Sequence, residues 1–285
     1  MEIIECGLAG PWEGIMVRPG GGGDVGVLVL AGSSGRVETE RARLLARQGA
    51  TALSIRWFGG PGQPEGICEI PLETFTAAID LLVETGVRRV GVMGLSKGAE
   101  AALLVAGLDP RVEAVVALAP SSVAWANVGP GADGNVVPRR SSWTWRGEPV
   151  PFVPYDEDWS PAESEGVPKA YRTLYERSLE RFAGQARAAA IPVERANADI
   201  LLVAGADDQM WPSLSFAEEL AERRSAAGRP VRVVSGPDAG HRLRFPGEPA
   251  VSMVRPFRYG GSPEADAALG AAAWPHVLET LRIGA

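Results

Sequence analysis

The sequence predicts an α/β fold: a mostly parallel, doubly wound sheet with helices on both faces, preceded by an antiparallel hairpin. Three observations carry this prediction. Runs such as VGVLVL at 25–30 and DILLVA at 199–204 are apolar nearly throughout, as strands covered on both faces must be. Between such runs lie segments with apolar residues at helical spacing, for example Leu72, Phe75, Ile79, Leu82 and Val83. Strand and helix then alternate along the chain, which makes the strands parallel and the crossovers right-handed. With 285 residues, 46% hydrophobic and 22% charged, there is enough apolar material for one large core, so residues 1–285 read as one domain.

In order, residues 2–6 and 12–17 read as a hairpin with its turn at 7–11. The strand at 25–30 leads into Gly32-Ser33-Ser34-Gly35 and a helix over about 37–47, ended by Gly49. Residues 51–57 form the next strand. After a Gly/Pro loop at 59–66, Pro71 suits the first position of a helix that Gly86 closes. A short buried strand containing Val90, Val92 and Met93 turns directly into a helix running to about Leu108, and 112–118 is again a strand.

Residues 121–198 break this alternation. They include SSWTW at 141–145, PVPFVPYDEDW at 149–159 and a short helix around 170–183. The segment is too long for a plain loop and reads as a cap over the sheet top. Its aromatics Trp143, Trp145, Phe152, Tyr155 and Trp159 are expected to line a substrate pocket. The alternative is that they glue the cap to the core. Alternation then resumes with a strand at 199–204, a helix at 213–227, a strand at 231–234 and a helical stretch at 264–283 interrupted at Pro275.

The bulk properties narrow the function. A net charge of −7 and the absence of a basic run argue against a nucleic-acid surface. No apolar run approaches the length of a membrane span, and the N-terminal MEIIECGLAG does not read as a signal peptide. Cys6 and Cys68 lie far apart, without metal-ligand spacing, which suggests a reducing, cytoplasmic compartment. Nothing in these properties calls for a metal or a cofactor, and the expected partner is a small-molecule substrate.

The chemistry centres on Gly94-Leu95-Ser96-Lys97-Gly98, a G-x-S-x-G between strand and helix. A residue in such a turn is pushed out of the sheet top, at the positive end of the helix, where developing negative charge is favoured. Ser96 is therefore the candidate nucleophile. A serine hydroxyl needs a base, and the base an orienting group. Of the two histidines, His241 in GPDAGH follows the last strand and returns to the edge that carries the elbow; His276 lies in the terminal helix. The loop Gly205 to Pro212 is similar to the acid loop of α/β-hydrolases, in a register that makes Asp208 the acid and Asp207 the alternative. Oxyanion N–H groups are expected from Lys97 and from Ser33, with Ser34 the alternative. The Lys97 side chain is expected to be solvated, a contact to an anionic substrate being the other option.

Taken together, GLSKGAE at 94–100, PSSVAW at 120–125, IPVE at 191–194, the acid loop and Gly240-His241 resemble the C-terminal catalytic domain shared by acyl-CoA thioesterases and bile acid-CoA:amino acid N-acyltransferases. The resemblance covers roughly residues 25–283. It implies an α/β-hydrolase fold and attack on an acyl thioester such as an acyl-CoA. Thioesterase members carry serine at the elbow and amino-acid-conjugating members typically cysteine, so Ser96 favours water as acceptor. Full-length members have an N-terminal β-sandwich where this sequence shows a short hairpin, and residues 127–160 match none of these motifs. The reading is a serine hydrolase of acyl thioesters. Its rivals are a transferase to an amine or alcohol, a small-ester or dienelactone-type hydrolase, and a non-catalytic binding protein.

Overall fold

The computed structural model describes residues 2–8, 10–161, 167–249 and 257–284. The strands are β1 (Ile3–Leu8), β2 (Gly14–Pro19), β3 (Val25–Leu30), β4 (Thr51–Ile55), β5 (Ile70–Pro71), β6 (Arg89–Leu95), β7 (Val112–Leu118), β8 (Trp143–Trp145), β9 (Glu148–Pro149), β10 (Asp199–Gly205) and β11 (Val231–Gly236). The helices are α1 (Thr39–Arg47), α2 (Glu73–Glu84), α3 (Lys97–Leu108), α4 (Arg172–Arg181), α5 (Ala183–Ala188), α6 (Ser213–Ala226) and α7 (Pro263–Leu281).

Eight strands form the main sheet in the order β1-β2-β4-β3-β6-β7-β10-β11. The hairpin β1–β2 joins β4 antiparallel, and every pairing from β4 through β3 to β11 is parallel. Every residue of β3 is buried, because both faces of the sheet are covered. The pleat divides its side chains between two cores. Leu28 and Leu30 pack with Phe75 and Ile79 of α2, the alanines of α3 and Leu220 of α6. Val27 and Val29 pack with Leu45 of α1 and Leu269, Ala273 and Val277 of α7.

Three local expectations are corrected. Pro71 is not the first residue of a helix: it ends β5, which pairs with β8 of the insertion, and α2 begins two residues later after Leu72. The helix expected over 170–183 is two helices, divided at Phe182, whose φ of −112° and ψ of 37° leave the helical region. Conversely, Pro275 does not interrupt the last helix. α7 runs unbroken from Pro263, with Ser262 accepting the Ala265 amide as an N-cap at 3.1 Å. An internal proline costs about 3 kcal/mol. Burial of Leu269, Ala273, Val277 and Leu281 on one face of α7 offsets that cost.

The segment expected as a cap supplies β8 and β9, which join β5 from before α2 in a small second sheet, and the helices α4 and α5. Residues 162–166 of that expected cap lie outside the described residues. Trp125, Val153 and Tyr155 from this segment pack with Trp211 and Phe216 into a third apolar cluster beside the acid loop. Trp143 has a different place. It is fully buried against Trp57 and Phe75, with ring centroids 5.4 and 6.0 Å away, inside the core under α2. Trp143→Ala is therefore expected to cost about 3–5 kcal/mol of stability, the range for a buried aromatic lost from a core. Denaturant unfolding measures this loss, and substrate preference should stay unchanged. Among the described residues no helix is long and apolar enough to cross a membrane.

Candidate active site

Ser96 joins β6 directly to α3 with φ 57° and ψ −119°, a conformation that non-glycine residues adopt only under constraint. The constraint comes from both neighbours. The Ser96 amide donates to Leu118 O of β7 at 2.9 Å, and the helix begins at once, Ala99 and Glu100 donating to Ser96 O. A Cβ on Gly94 would lie 2.1 Å from Gly98 O, and one on Gly98 would lie 2.5 Å from Ala31 O, so both glycines of the motif are demanded by contact. Gly32 lies so close that a Cβ there would meet Leu95 O at 3.0 Å and Ser96 Cβ at 3.1 Å. The turn carrying Ser33 and Ser34 is thereby set against the elbow.

The acid loop follows β10 and the histidine loop follows β11, so both stand at the same carboxyl edge as Ser96. Asp208 and His241 are buried and joined by a 2.7 Å hydrogen bond between Oδ2 and Nδ1. Oδ1 of Asp208 accepts the amides of Met210 at 2.9 Å and Trp211 at 3.3 Å, which fixes the carboxylate in its own loop. The Asp207 side chain points elsewhere. It accepts from Gly261 N at 2.8 Å and from Gln209 Nε2 at 2.7 Å, and the Gly261 amide holds its carboxyl below the usual range. The Ser96 hydroxyl makes no hydrogen bond among the described residues. His276 sits on the outer face of α7 beside Arg232 and Glu279.

Several groups around this pair had no clear signal in the sequence. The Tyr259 carbonyl accepts both Gln209 N (3.2 Å) and His241 N (3.0 Å), tying the acid loop to the histidine loop. Arg172, at the start of α4, donates to the carbonyls of Ala206 and Asp208. Asp266 of α7 accepts from Gly240 N at 2.8 Å, and burial pushes its carboxyl up. The imidazole lies between the Trp211 ring, edge-on at 5.7 Å, and the Tyr259 ring, near parallel at 6.2 Å. Trp211 stood in the acid-loop motif and was legible there. Arg172, Tyr259 and Asp266 come from distant stretches that only the tertiary fold brings together.

Two placements differ from the sequence expectations. The Lys97 side chain is not solvated: it is buried and paired with Glu100, because segments 119–127 and 141–145 close over the first turn of α3. Nor do the five cap aromatics line one pocket. Trp143 is core, and Trp145 is half-buried at the edge of that core under Arg146. Phe152 and Tyr155 belong to the cluster with Trp125, and Trp159 is half-buried in the turn after Asp156. Tyr155 also lines a cavity of about 400 Å³ with Arg139 and Phe182. A larger cavity, about 520 Å³, is lined by Leu95, which precedes Ser96, and by Arg242, which follows His241, together with Arg36, Arg41, Arg244 and Asp266. None of the five cap aromatics lines it. Among the described residues no group of three or more His, Cys, Asp or Glu could hold a metal ion.

Sheet order and crossovers define an α/β-hydrolase fold. Solved structures share it: a protein of Klebsiella pneumoniae assigned as a dienelactone hydrolase aligns over 99% of both chains at 15% identity and a TM-score of 0.59. A dienelactone hydrolase-like promiscuous phosphotriesterase from metagenomic libraries aligns over 99% of this chain and 98% of its own at 17% identity and a TM-score of 0.51. The family is shown by sequence. Residues 70–282 match the model for the BAAT / acyl-CoA thioester hydrolase C-terminal family, and the chain belongs to that family. Human acyl-coenzyme A thioesterase 1 is 27% identical over 87% of this chain and 57% of its own length. Rat acyl-coenzyme A amino acid N-acyltransferase 2 is 27% identical over 94% of this chain and 62% of its own. The chain thus spans somewhat more than half the length of these relatives.

Proposed function

We propose that this protein is a serine hydrolase of acyl thioesters, with an acyl-CoA as the substrate class. The observation that carries the reading is the buried Asp208–His241 hydrogen bond at the sheet edge that presents Ser96, in a chain of this family. In the proposed reaction the Ser96 oxygen bonds to the thioester carbonyl carbon while His241 takes the hydroxyl proton. The carbonyl oxygen becomes an oxyanion facing the N–H groups of Lys97 and Ser33. Collapse breaks the carbon–sulfur bond, and the imidazolium returns its proton to the departing thiolate. Water, activated by the same histidine, then releases the acid. Asp208 holds the imidazole in the required tautomer and stabilises its charged form. Asp208 is preferred to Asp207 because its carboxylate is the one in contact with the ring. The chain is taken as one α/β-hydrolase domain with a cap at about 121–198, and two free thiols are compatible with the cytoplasm as the proposed compartment.

A second reading, transfer of the acyl group to an amine or alcohol, is favoured by the rat acyltransferase relative. The acyl-enzyme is common to both, so the acceptor separates them. With matched thioesters and oxoesters of one acyl group, the thioester is expected to give the higher kcat/KM and the free acid as product. Equal rates on the oxoester would favour the small-ester reading, and an amide product with an added amine would favour the transferase.

A further inference from the structure

Glu100 lies one turn into α3, and its carboxylate is wholly buried. It accepts four hydrogen bonds. Lys97 Nζ donates to Oε1 at 2.8 Å and to Oε2 at 2.7 Å, the Trp125 amide donates to Oε1 at 3.0 Å, and Trp143 Nε1 donates to Oε1 at 2.6 Å. The donors come from two directions: Lys97 from the elbow itself, the two tryptophans from the insertion above it. Lys97 is just as enclosed, 1% exposed, with its ammonium 5.3 Å from the centre of the Trp143 ring. Burial pushes the ammonium toward neutrality, and Glu100 opposes this.

Such a pair is a poor way to gain stability. Desolvating both charges offsets most of their attraction, and apolar residues of the same volume often hold a core as well or better. Its position is more informative. Lys97 is the residue directly after Ser96, and its amide, in the first turn of a helix, has no acceptor within that helix. That amide is one of the two expected oxyanion donors, and a displaced donor loses much of its effect on the transition state.

We propose that Lys97 and Glu100 form a positioning pair, which locks the insertion onto the first turn of α3 and so holds the Lys97 amide where the oxyanion forms. The proposal rests on the serine-hydrolase reading. Neither side chain touches substrate. The pair acts through the backbone of residue 97 and through Trp125 and Trp143.

The test is the rate at which a small fluorophosphonate labels Ser96, measured per folded molecule well below each variant's Tm. Such a probe depends on the triad and the oxyanion hole and makes little use of the acyl pocket. Outright loss of one oxyanion donor slows a reaction about 10²–10³-fold, so its displacement in Lys97→Met or Glu100→Gln is expected to slow labelling about tenfold or more. The double variant K97M/E100Q has no stranded charge, and its glutamine oxygen can still accept from both tryptophans. It is expected to recover to within about threefold of the parent, a non-additivity that marks a coupled pair. Should the single variants fail to fold, Glu100→Asp decides the matter in the same way, since it keeps the charge but withdraws the carboxylate from Trp125 and Trp143. Variants that label at the parental rate and differ only in Tm would overturn the proposal, as would a double variant no faster than the singles. An unlabelled parent is a different failure: it would remove the serine-hydrolase reading, and the pair's role with it.

Discussion

Ser96→Ala is expected to abolish covalent labelling and to lower kcat by about four to six orders of magnitude, the scale on which a nucleophile and its base act as one unit. The fold should survive the change. Alanine keeps the Cβ that already occupies the strained turn, and the hydroxyl it removes has no hydrogen-bond partner to leave unsatisfied among the described residues. Stability should shift by no more than about 0.5 kcal/mol, as for substitutions that neither open a cavity nor break a bond. Turnover on the best thioester, single-turnover labelling and thermal unfolding measured together make the comparison. Activity within tenfold of the parent would remove Ser96 from the mechanism.

The parts of this molecule that were legible in the sequence are those governed by short-range rules. Each residue of β3 is buried on both faces, so its VGVLVL run could be read as a strand without knowledge of its neighbours. The same holds for the elbow, where Gly94, Ser96 and Gly98 collide with nothing only because two of them lack a Cβ. Asp208 was placed by register within one loop. What escaped depends on the insertion. Lys97 read as a solvated lysine because a helix-start lysine normally is; that Trp125 and Trp143 cover it follows from contacts spanning 25 and 43 residues from Glu100. The five cap aromatics were grouped because they are near one another in sequence, yet Trp143 and Trp145 join the core under α2, Phe152 and Tyr155 the cluster beside the acid loop, and Trp159 the turn after Asp156. Pro275 misled for the opposite reason. A local rule said that the helix should break, and packing against the sheet kept it whole.

His241→Ala should be about as damaging as the loss of Ser96, because without a base the hydroxyl is a weak nucleophile at neutral pH. The double variant should lose little more than either single one, since in the proposed reaction the two residues serve one proton transfer. Asp208→Asn probes the next link. An amide in place of the carboxylate can donate a hydrogen bond to Nδ1 and would leave the imidazole in the wrong tautomer, a change worth about 10⁴ in kcat in enzymes with this arrangement. Asp207→Asn touches a different interaction: it leaves one acceptor oxygen where the carboxylate offers two, one to Gln209 Nε2 within the acid loop and one to Gly261 N on the segment that carries Tyr259. Its effect reaches His241 only through the backbone, and a loss of less than about tenfold is expected, well short of that at Asp208. His276→Ala, on the outer face of α7, should leave kcat/KM within about twofold. The ordering of these four variants tests the geometry more sharply than any single value. If Asp207→Asn were the more damaging of the two aspartate changes, the 2.7 Å contact between Asp208 and His241 would not be the one the reaction uses.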